Sequence, residues 1–442
     1  MYDDEGLMDV ESVFGDSVSR GVLLKRAFAA GAAIGLAPYI AVTDAFAQGR
    51  TLKLGYVTPR TGPLAGFGEA DRFVINQMRR VFTRGLRIRG TRYPVQILDR
   101  DTQSNPNRAA TVAQNLILDD DVDLILVAGT PETTNPVSDT CEANKVPCIS
   151  SVAPWQPWFL GRRGDPQKPF RYTYHFFWGL EDIIGVFLRM WRQVQTNRGV
   201  GAIWPNDGDG NAWSDSRLGF PPPLRRAGYR IIDPGRYPNL SDDFSSQISR
   251  FRSGGAQIVT GVPLPPDFTT FWTQALQQGF RPRVASIGKA MLFPAAANAL
   301  GRNGAGISTE VWWSPFHPYR SSLTRQTSTA LATAYERSTD RQWTQPIGFA
   351  HALFEVAANA LSRTRDLDNK EQIADAIKAT RLDTIVGRVQ WRGGPNANVA
   401  KTKLVGGQWR RGRRFRYELR IVENQAVPRV RRHGKLTPIP YR

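Results

Sequence analysis

From Thr51 onward, short β-rich runs alternate with helical patterns, and this alternation limits the folds open to the chain more than any other feature. Strand-like runs fall at 53–57, 93–99, 124–127 and 147–150. Between the first two, residues 70–82 set Phe73, Val74, Met78, Val81 and Phe82 on one helical stripe. Asn105-Pro106 is a start signal for a second helix over 108–118. Strands separated by helices in this way make βαβ units and a parallel sheet. The pattern then restarts. A periodic helix spans 180–194 (Ile183, Ile184, Phe187, Trp191, Val194), with strands at 201–204, 229–232, 257–262 and 284–288 and helices around 220–227, at Ile248 and Phe251, and over 268–278. Helices at 322–338, 347–363 and 370–379 follow, and the chain finishes in strands at 401–409 and 416–422. The expectation is an α/β fold of two doubly wound, Rossmann-like lobes with several crossings between them.

Length and composition agree. The 442 residues suit two domains, because single cores stop growing near ~250–300 residues. A hydrophobic fraction of 41% and 10% aromatics are enough for packed cores. Ahead of the first strand, Arg20, Lys25 and Arg26 precede a charge-free run of 16 residues (27–42), and Ala45-Phe46-Ala47 follows. Head, apolar core and small-residue cleavage site read as an export signal over residues 1–47, cleaved near Ala47. A membrane anchor is the other reading. Gly31, Gly35 and Pro38 interrupt the run, which is shorter than the ~20 residues a spanning helix needs. Ser19 to Lys25 is similar to a twin-arginine signal in which Gly21 stands for the second arginine. The mature protein is thus expected in the periplasm, as a monomer that does not itself span a membrane.

The formal charge of +19 is unevenly spread. Residues 401–442 hold thirteen Lys or Arg and two Glu, a net +11. Arg410, Arg411, Arg413, Arg414, Arg416 and Arg420 alternate with Phe415, Tyr417, Leu419 and Ile421, as in a half-buried strand with one basic face. Such a face attracts anions. An exported protein has no call for nucleic acid, so residues 409–442 are read as a basic C-terminal extension facing solvent, lipid head groups or a protein partner. Cys141 and Cys148, the only cysteines, are separated by six residues, with a disulfide and two buried thiols equally open.

No catalytic pattern is present. The four histidines (His175, His317, His351, His433) have no metal-ligand spacing, and there is no Gly-x-Ser-x-Gly elbow or phosphate loop. Asp207-Gly-Asp-Gly-Asn211 reads as a turn leading into a helix, since the later ligands of a calcium loop are missing. Neither cofactor nor enzymatic activity is expected. A hydrolase on this scaffold would require a nucleophile–base pair in the cleft, for example a hydroxyl of 130–134 beside His175.

In an open parallel sheet, ligands sit beyond the carboxyl ends of the strands. The segments there include 59–68, 129–134, 150–155, 206–211, 263–267 and 288–291. Thr130, Thr133, Thr134, Ser150 and Ser151 supply hydroxyls suited to a carboxylate, with helix capping as the alternative use of each. Asp209 falls in the fourth of these segments. Trp155, Trp204, Trp213 and Trp313 are candidates either for an aromatic lining or for core.

At these residues a resemblance becomes specific. The run from Leu54 to Gly68, the stretch Pro136–Asp139 with Cys141–Ser150 and Ala153-Pro154-Trp155, and the segment 244–262 are similar to the branched-chain amino-acid-binding proteins of ABC transporters. That resemblance covers about residues 51–425. It implies a type I periplasmic-binding fold, two lobes joined by three hinge crossovers, with lobes at 48–175 plus 312–388 and at 176–311 plus 389–408. It implies that a small ligand closes the lobes and is handed to the ABC permease membrane subunits; a ligand sensor of the same fold is the alternative. The family's pocket falls on Phe67 as the aromatic over the ligand, on Thr130–Thr134, on Ser150, Ser151 and Val152, and on Leu264. Its acidic partner for an α-ammonium falls near Lys289. A lysine there would repel an ammonium, which points away from simple α-amino acids; a Lys289 exposed at the rim is the competing view.

Overall fold

The computed structural model describes residues 50–441; the export signal expected at 1–47 lies outside these described residues. The chain enters the first lobe through strand β1 (Leu52–Thr58), helix α1 (Asp71–Val81), the small hairpin β2 (Leu86–Ile88) and β3 (Thr91–Tyr93), and β4 (Val95–Asp101). It continues with α2 (Pro106–Leu118), β5 (Leu124–Ala128), α3 (Pro131–Ala143), β6 (Cys148–Ser151), α4 (Trp155–Phe159) and β7 (Thr173–Phe177). The second lobe begins with α5 (Leu180–Trp191), β8 (Gly199–Pro205), α6 (Gly208–Ser214), α7 (Pro221–Arg226), β9 (Arg230–Ile232) and β10 (Arg236–Tyr237). After these come α8 (Ser245–Ser253), β11 (Ile258–Gly261), α9 (Pro265–Gln277), β12 (Val284–Ile287), α10 (Pro294–Ala299) and β13 (Ser308–Val311). The chain returns to the first lobe as α11 (Ser328–Thr339), α12 (Pro346–Arg363), α13 (Lys370–Lys378), the hairpin β14 (Arg381–Thr384) and β15 (Gly387–Gln390), and β16 (Val399–Lys401). It ends in the second lobe with β17 (Val405–Arg411) and β18 (Tyr417–Glu423).

The first sheet is wholly parallel, in the order β16-β7-β6-β5-β1-β4. The second runs β10-β8-β11-β12-β13-β17-β18 with β9 on β8, and only its last two pairings are antiparallel. Both sheets are covered by helices, so strands such as Leu124–Ala128 are buried along their whole length. α12 is the spine of the first lobe: fifteen of its eighteen residues are buried. Local signals do what their chemistry requires. Asn105 caps α2 by accepting the Arg108 N–H at 3.0 Å, with Pro106 in the first turn. Among the described residues no helix is long and apolar enough to cross a membrane.

Three segments carry the chain between lobes, after β7, after β13 and after β16. The first and third lie side by side, with the Thr402 N–H on the Phe177 carbonyl. Lys401 at the end of β16 ion-pairs with Glu181 and Asp182 at the start of α5. Two expected boundaries move. β16 joins the first sheet beside β7, so residues 389–401 do not belong to the second lobe. Residues 409–442 do not form a separate extension. Trp409–Arg411 and β18 complete the second sheet, with Tyr417, Leu419 and Ile421 turned into the core. From there the chain straps across the second lobe, burying Val427, Val430, Leu436 and Ile439. It is tied by Leu436 N–H to Gln193 at 2.8 Å and Ile439 N–H to the Arg283 carbonyl at 2.9 Å.

The possible bridge between Cys141 and Cys148 is not formed; both are free thiols. They are fully buried with Val112, Leu116 and Val137 under α2 and α3, where they pack as small apolar side chains. Burial, reinforced by the adjacent Cys148, pushes the Cys141 thiol well above its usual range.

Candidate ligand-binding cleft

The carboxyl ends of the central strands of both sheets face one another across a narrow cavity whose free space, about 20 Å³, is that of a single water. From the first lobe come Phe67 after β1, Thr130 after β5, Val152 and Pro154 after β6, and Phe177 and Trp178 at the end of β7. From the second come Asp209 and Trp213 on α6, Val262 after β11, Lys289 and Leu292 after β12, and Glu310 and Trp312 around the end of β13. The lobes touch directly around it. Glu132 on α3 accepts the Gly208 N–H at 2.9 Å, and Phe67 meets Phe293 edge-on at 5.0 Å.

The first-lobe wall is neutral. Thr130 stands at the start of α3 with Pro131 in the first turn, but its hydroxyl caps nothing and has no hydrogen-bond partner, although the residue is buried. A buried hydroxyl without a partner is a costly arrangement unless something else supplies one. Val152 holds φ at 76°, a strained value for a β-branched residue. Its neighbours Ser150 and Ser151 face the next strand: the Ser151 hydroxyl donates to the Phe176 carbonyl at 2.6 Å.

The second-lobe wall is charged. The Lys289 ammonium lies 2.9 Å from Asp207 Oδ2 and 2.9 Å from Asp209 Oδ2, and its side chain is only 2% exposed. Burial works against this ammonium, but Asp207, Asp209 and Glu132 outweigh it and hold Lys289 well above the ordinary lysine range. Asp207 also accepts the Gly210 N–H at 2.7 Å, so the Asp-Gly-Asp-Gly run is a cap for α6 as well as a clamp on the lysine. Asp209 has its carboxyl raised by burial and by Glu132 and Asp207, against the pull of Lys289. Its Oδ1 has no hydrogen-bond partner among the described residues. Glu310, fully enclosed, is raised to about 7 by burial, partly offset by the Thr309 hydroxyl and the Lys289 N–H. The indole N–H groups of Trp178, Trp213 and Trp312 are likewise buried without partners.

Of the residues expected at the site, Phe67, Thr130, Val152, Asp209 and Lys289 line the cavity. Six others do not. Thr133 turns back to the Thr130 carbonyl at 3.5 Å, and Thr134 is buried alongside without a partner. Ser150 and Ser151 are used within the sheet, Trp155 gives its N–H to Glu181 at 3.2 Å, and Leu264 precedes α9. Of the other candidate tryptophans only Trp213 reaches the cavity; Trp204 and Trp313 are core. The view that Lys289 is exposed at the rim is overturned, and so is the premise that it faces a ligand without counter-charge. Phe177, Trp178, Leu292, Glu310 and Trp312 escaped sequence reasoning. An acidic residue inside the apolar run Ile307–Trp313 was the one available signal for Glu310.

The hydrolase arrangement is absent where it was sought. His175 lies 2.8 Å from Ser150 Oγ, not beside 130–134, and its Nε2 is on the Ala153 carbonyl at 2.7 Å. Burial lowers its pKa to about 3, and neither residue reaches the cavity.

Two doubly wound lobes, three crossings and a cavity between the strand ends define a clamshell binding protein. The family model for periplasmic binding proteins matches residues 51–413, and the chain belongs to that family. Comparison with curated protein sequences finds no match. Among solved structures, the chain is similar to the branched-chain amino acid transporter substrate-binding protein LivJ of Streptococcus pneumoniae, in complex with isoleucine. That match has a TM-score of 0.67 at 15% identity and covers 85% of this chain and 100% of the other. The leucine-binding protein LivK of Thermotoga maritima gives 0.67 at 17%, covering 85% and 99%. A solute-binding protein from Rhodopseudomonas palustris in complex with 4-hydroxybenzoate gives 0.67 at 17%, covering 88% and 98%. At these identities the likeness is one of fold.

Proposed function

We propose that this protein is the exported, extracytoplasmic solute-binding component of an ABC uptake system. It takes a small amino-acid-like or carboxylate-bearing molecule between its lobes and delivers it, unchanged, to the permease. The carrying observation is the cavity itself: the Thr130 hydroxyl on one lobe and Asp209 Oδ1 on the other are both buried, unpartnered and in its wall. A ligand that joins both is held only when the lobes shut, so it draws the open–closed equilibrium toward closure. The aromatic wall of Phe67, Phe177, Trp178, Trp213 and Trp312 favours a ligand with an apolar or ring-bearing body. Names of structural neighbours that carry isoleucine and 4-hydroxybenzoate support both chemistries. With Lys289 already paired, an ammonium on the ligand is not barred. No residue acts on a bond: the protein binds, encloses and releases.

A thermal-shift screen of amino acids, aliphatic acids, aromatic acids and amides tests this reading. A ligand at a hundredfold excess over its Kd stabilises by about 2.7 kcal/mol. The expected result is a strong shift with at least one acid-bearing compound, reduced by about a third in Thr130→Val. Chemical conversion of any hit, or shifts indifferent to Thr130→Val and Asp209→Asn, would refute the proposal.

A further inference from the structure

Along the crossing after β13, outside the cleft, lies an open hollow of about 450 Å³ that the function above does not use. One wall is the crossing after β13, where His317, Tyr319 and Arg320 lead toward α11. Its end is the N-terminus of that twelve-residue helix, capped by Thr327, whose hydroxyl accepts the Ala330 N–H at 3.1 Å. The opposite wall is the strap that follows β18, which contributes Arg429 and Arg431.

The charge of this hollow is one-sided. Among the described residues its lining has three arginines and no carboxylate. Arg429 and Arg431 are exposed and form no ion pair, while Arg320 is hydrogen-bonded only to the Arg325 carbonyl. The helix end adds the positive pole of its dipole. A separate observation comes from His317, which is 4% exposed and has an Nε2 with no partner in the protein. Its Nδ1 is 2.9 Å from Ser314 Oγ, and that hydroxyl already accepts the Phe316 N–H. Burial lowers the pKa of this imidazole to about 4, so the ring is neutral at ordinary pH. Three guanidiniums with no carboxylate partner, gathered around a helix N-terminus, form a natural seat for an anion.

We propose that this hollow is a second binding site, for a phosphate-type oxyanion, gripped by Arg320, Arg429 and Arg431. Guanidinium groups suit it because their paired donors match phosphate oxygens two at a time. Because one wall is a lobe crossing and the other is the strap of the second lobe, an occupant ties the strap to the hinge. The site stands whether or not the cleft takes an organic acid. Free phosphate compounds and anionic lipid head groups share this chemistry.

The test uses the full chain with pyrophosphate in equilibrium dialysis, and with phosphatidylglycerol and phosphatidylcholine vesicles in flotation. The expected result is binding of pyrophosphate, or of phosphatidylglycerol vesicles alone; the first identifies a soluble anion, the second a lipid head group. Arg429→Gln with Arg431→Gln should weaken binding at least tenfold, and Arg320→Gln several-fold. Arg411→Gln with Arg413→Gln, which removes equal charge outside the hollow, should change it less than twofold, and Thr130→Val in the cleft not at all. The proposal fails if neither probe binds, if the control pair weakens binding as much as Arg429 and Arg431 do, or if Thr130→Val abolishes it.

Discussion

The two walls of the cleft are built on the same architecture and charged differently. Each is a row of strand ends in a parallel sheet, yet the first lobe presents a hydroxyl, a strained valine and aromatic rings, whereas the second presents a lysine clamped by two aspartates with Glu310 behind it. The difference shows how such a protein divides its work. A neutral wall is stable whether the cleft is open or shut, and its contribution is to the ligand. A buried ionic cluster is first a structural problem, because each charge needs its partner whether or not a ligand is present.

The contrast is broken most severely at Lys289. Lys289→Met should leave Asp207 and Asp209 facing each other without a cation and cost about 3–5 kcal/mol of unfolding free energy, measured by urea denaturation. Equal stability in the variant would mean that the cluster is not a unit. The next effect is on pH. The Glu310 carboxyl is raised from 4.5 to about 7, so the folded state holds its proton more tightly than the unfolded chain does. Its contribution is fully present below about 4.5 and is lost as pH rises through about 7. Glu310→Gln should reduce that loss by about 1–3 kcal/mol. Asp71 and Glu355 titrate in the same window, so the readout is the difference between melting curves of the two proteins from pH 4.5 to 7.5.

On the neutral wall, Thr130→Val should leave the melting temperature within a degree or two and weaken ligand binding about fivefold, the worth of about 1 kcal/mol for one hydrogen bond. Calorimetric titration with the best hit of the ligand screen measures it. A large fall in stability would make Thr130 a packing residue instead. The smallest effect is expected where the walls meet. Glu132→Gln keeps an acceptor for the Gly208 N–H but removes its charge, and should lower apparent affinity about twofold by favouring the open form. Small-angle scattering with and without ligand reads the closure directly.

Much of the fold is legible in the chain because its helices are amphipathic and its breaks are chemically marked. Asn105-Pro106 starts α2, and the alternating 415–421 run becomes a half-buried strand. The misreadings have physical causes. β7 is Thr-Tyr-His-Phe-Phe, buried on both faces although Thr173 and His175 are polar, so no alternation of polar and apolar residues marks it as a strand along its length. The helix expected from 322 begins only at Ser328, because residues 321–327 fold back in a turn held by the Ser321 hydroxyl. In the cleft, Phe67, Thr130, Val152, Asp209 and Lys289 were within reach because they directly follow strand ends. Ser150 and Ser151 are spent within the sheet instead of on the cleft, and nothing local reveals which face of a fully buried strand a hydroxyl takes.

The order of apolar stripes, caps and breaks was thus enough to determine an α/β chain that makes two parallel sheets, since those patterns act over a few residues. Which sheet receives β16, how the last strands and the strap close the second lobe, and that Lys289 is sealed between two aspartates were decided only in three dimensions. These depend on contacts between residues tens to hundreds of positions apart, and no local pattern encodes the counter-charge that a distant loop will bring.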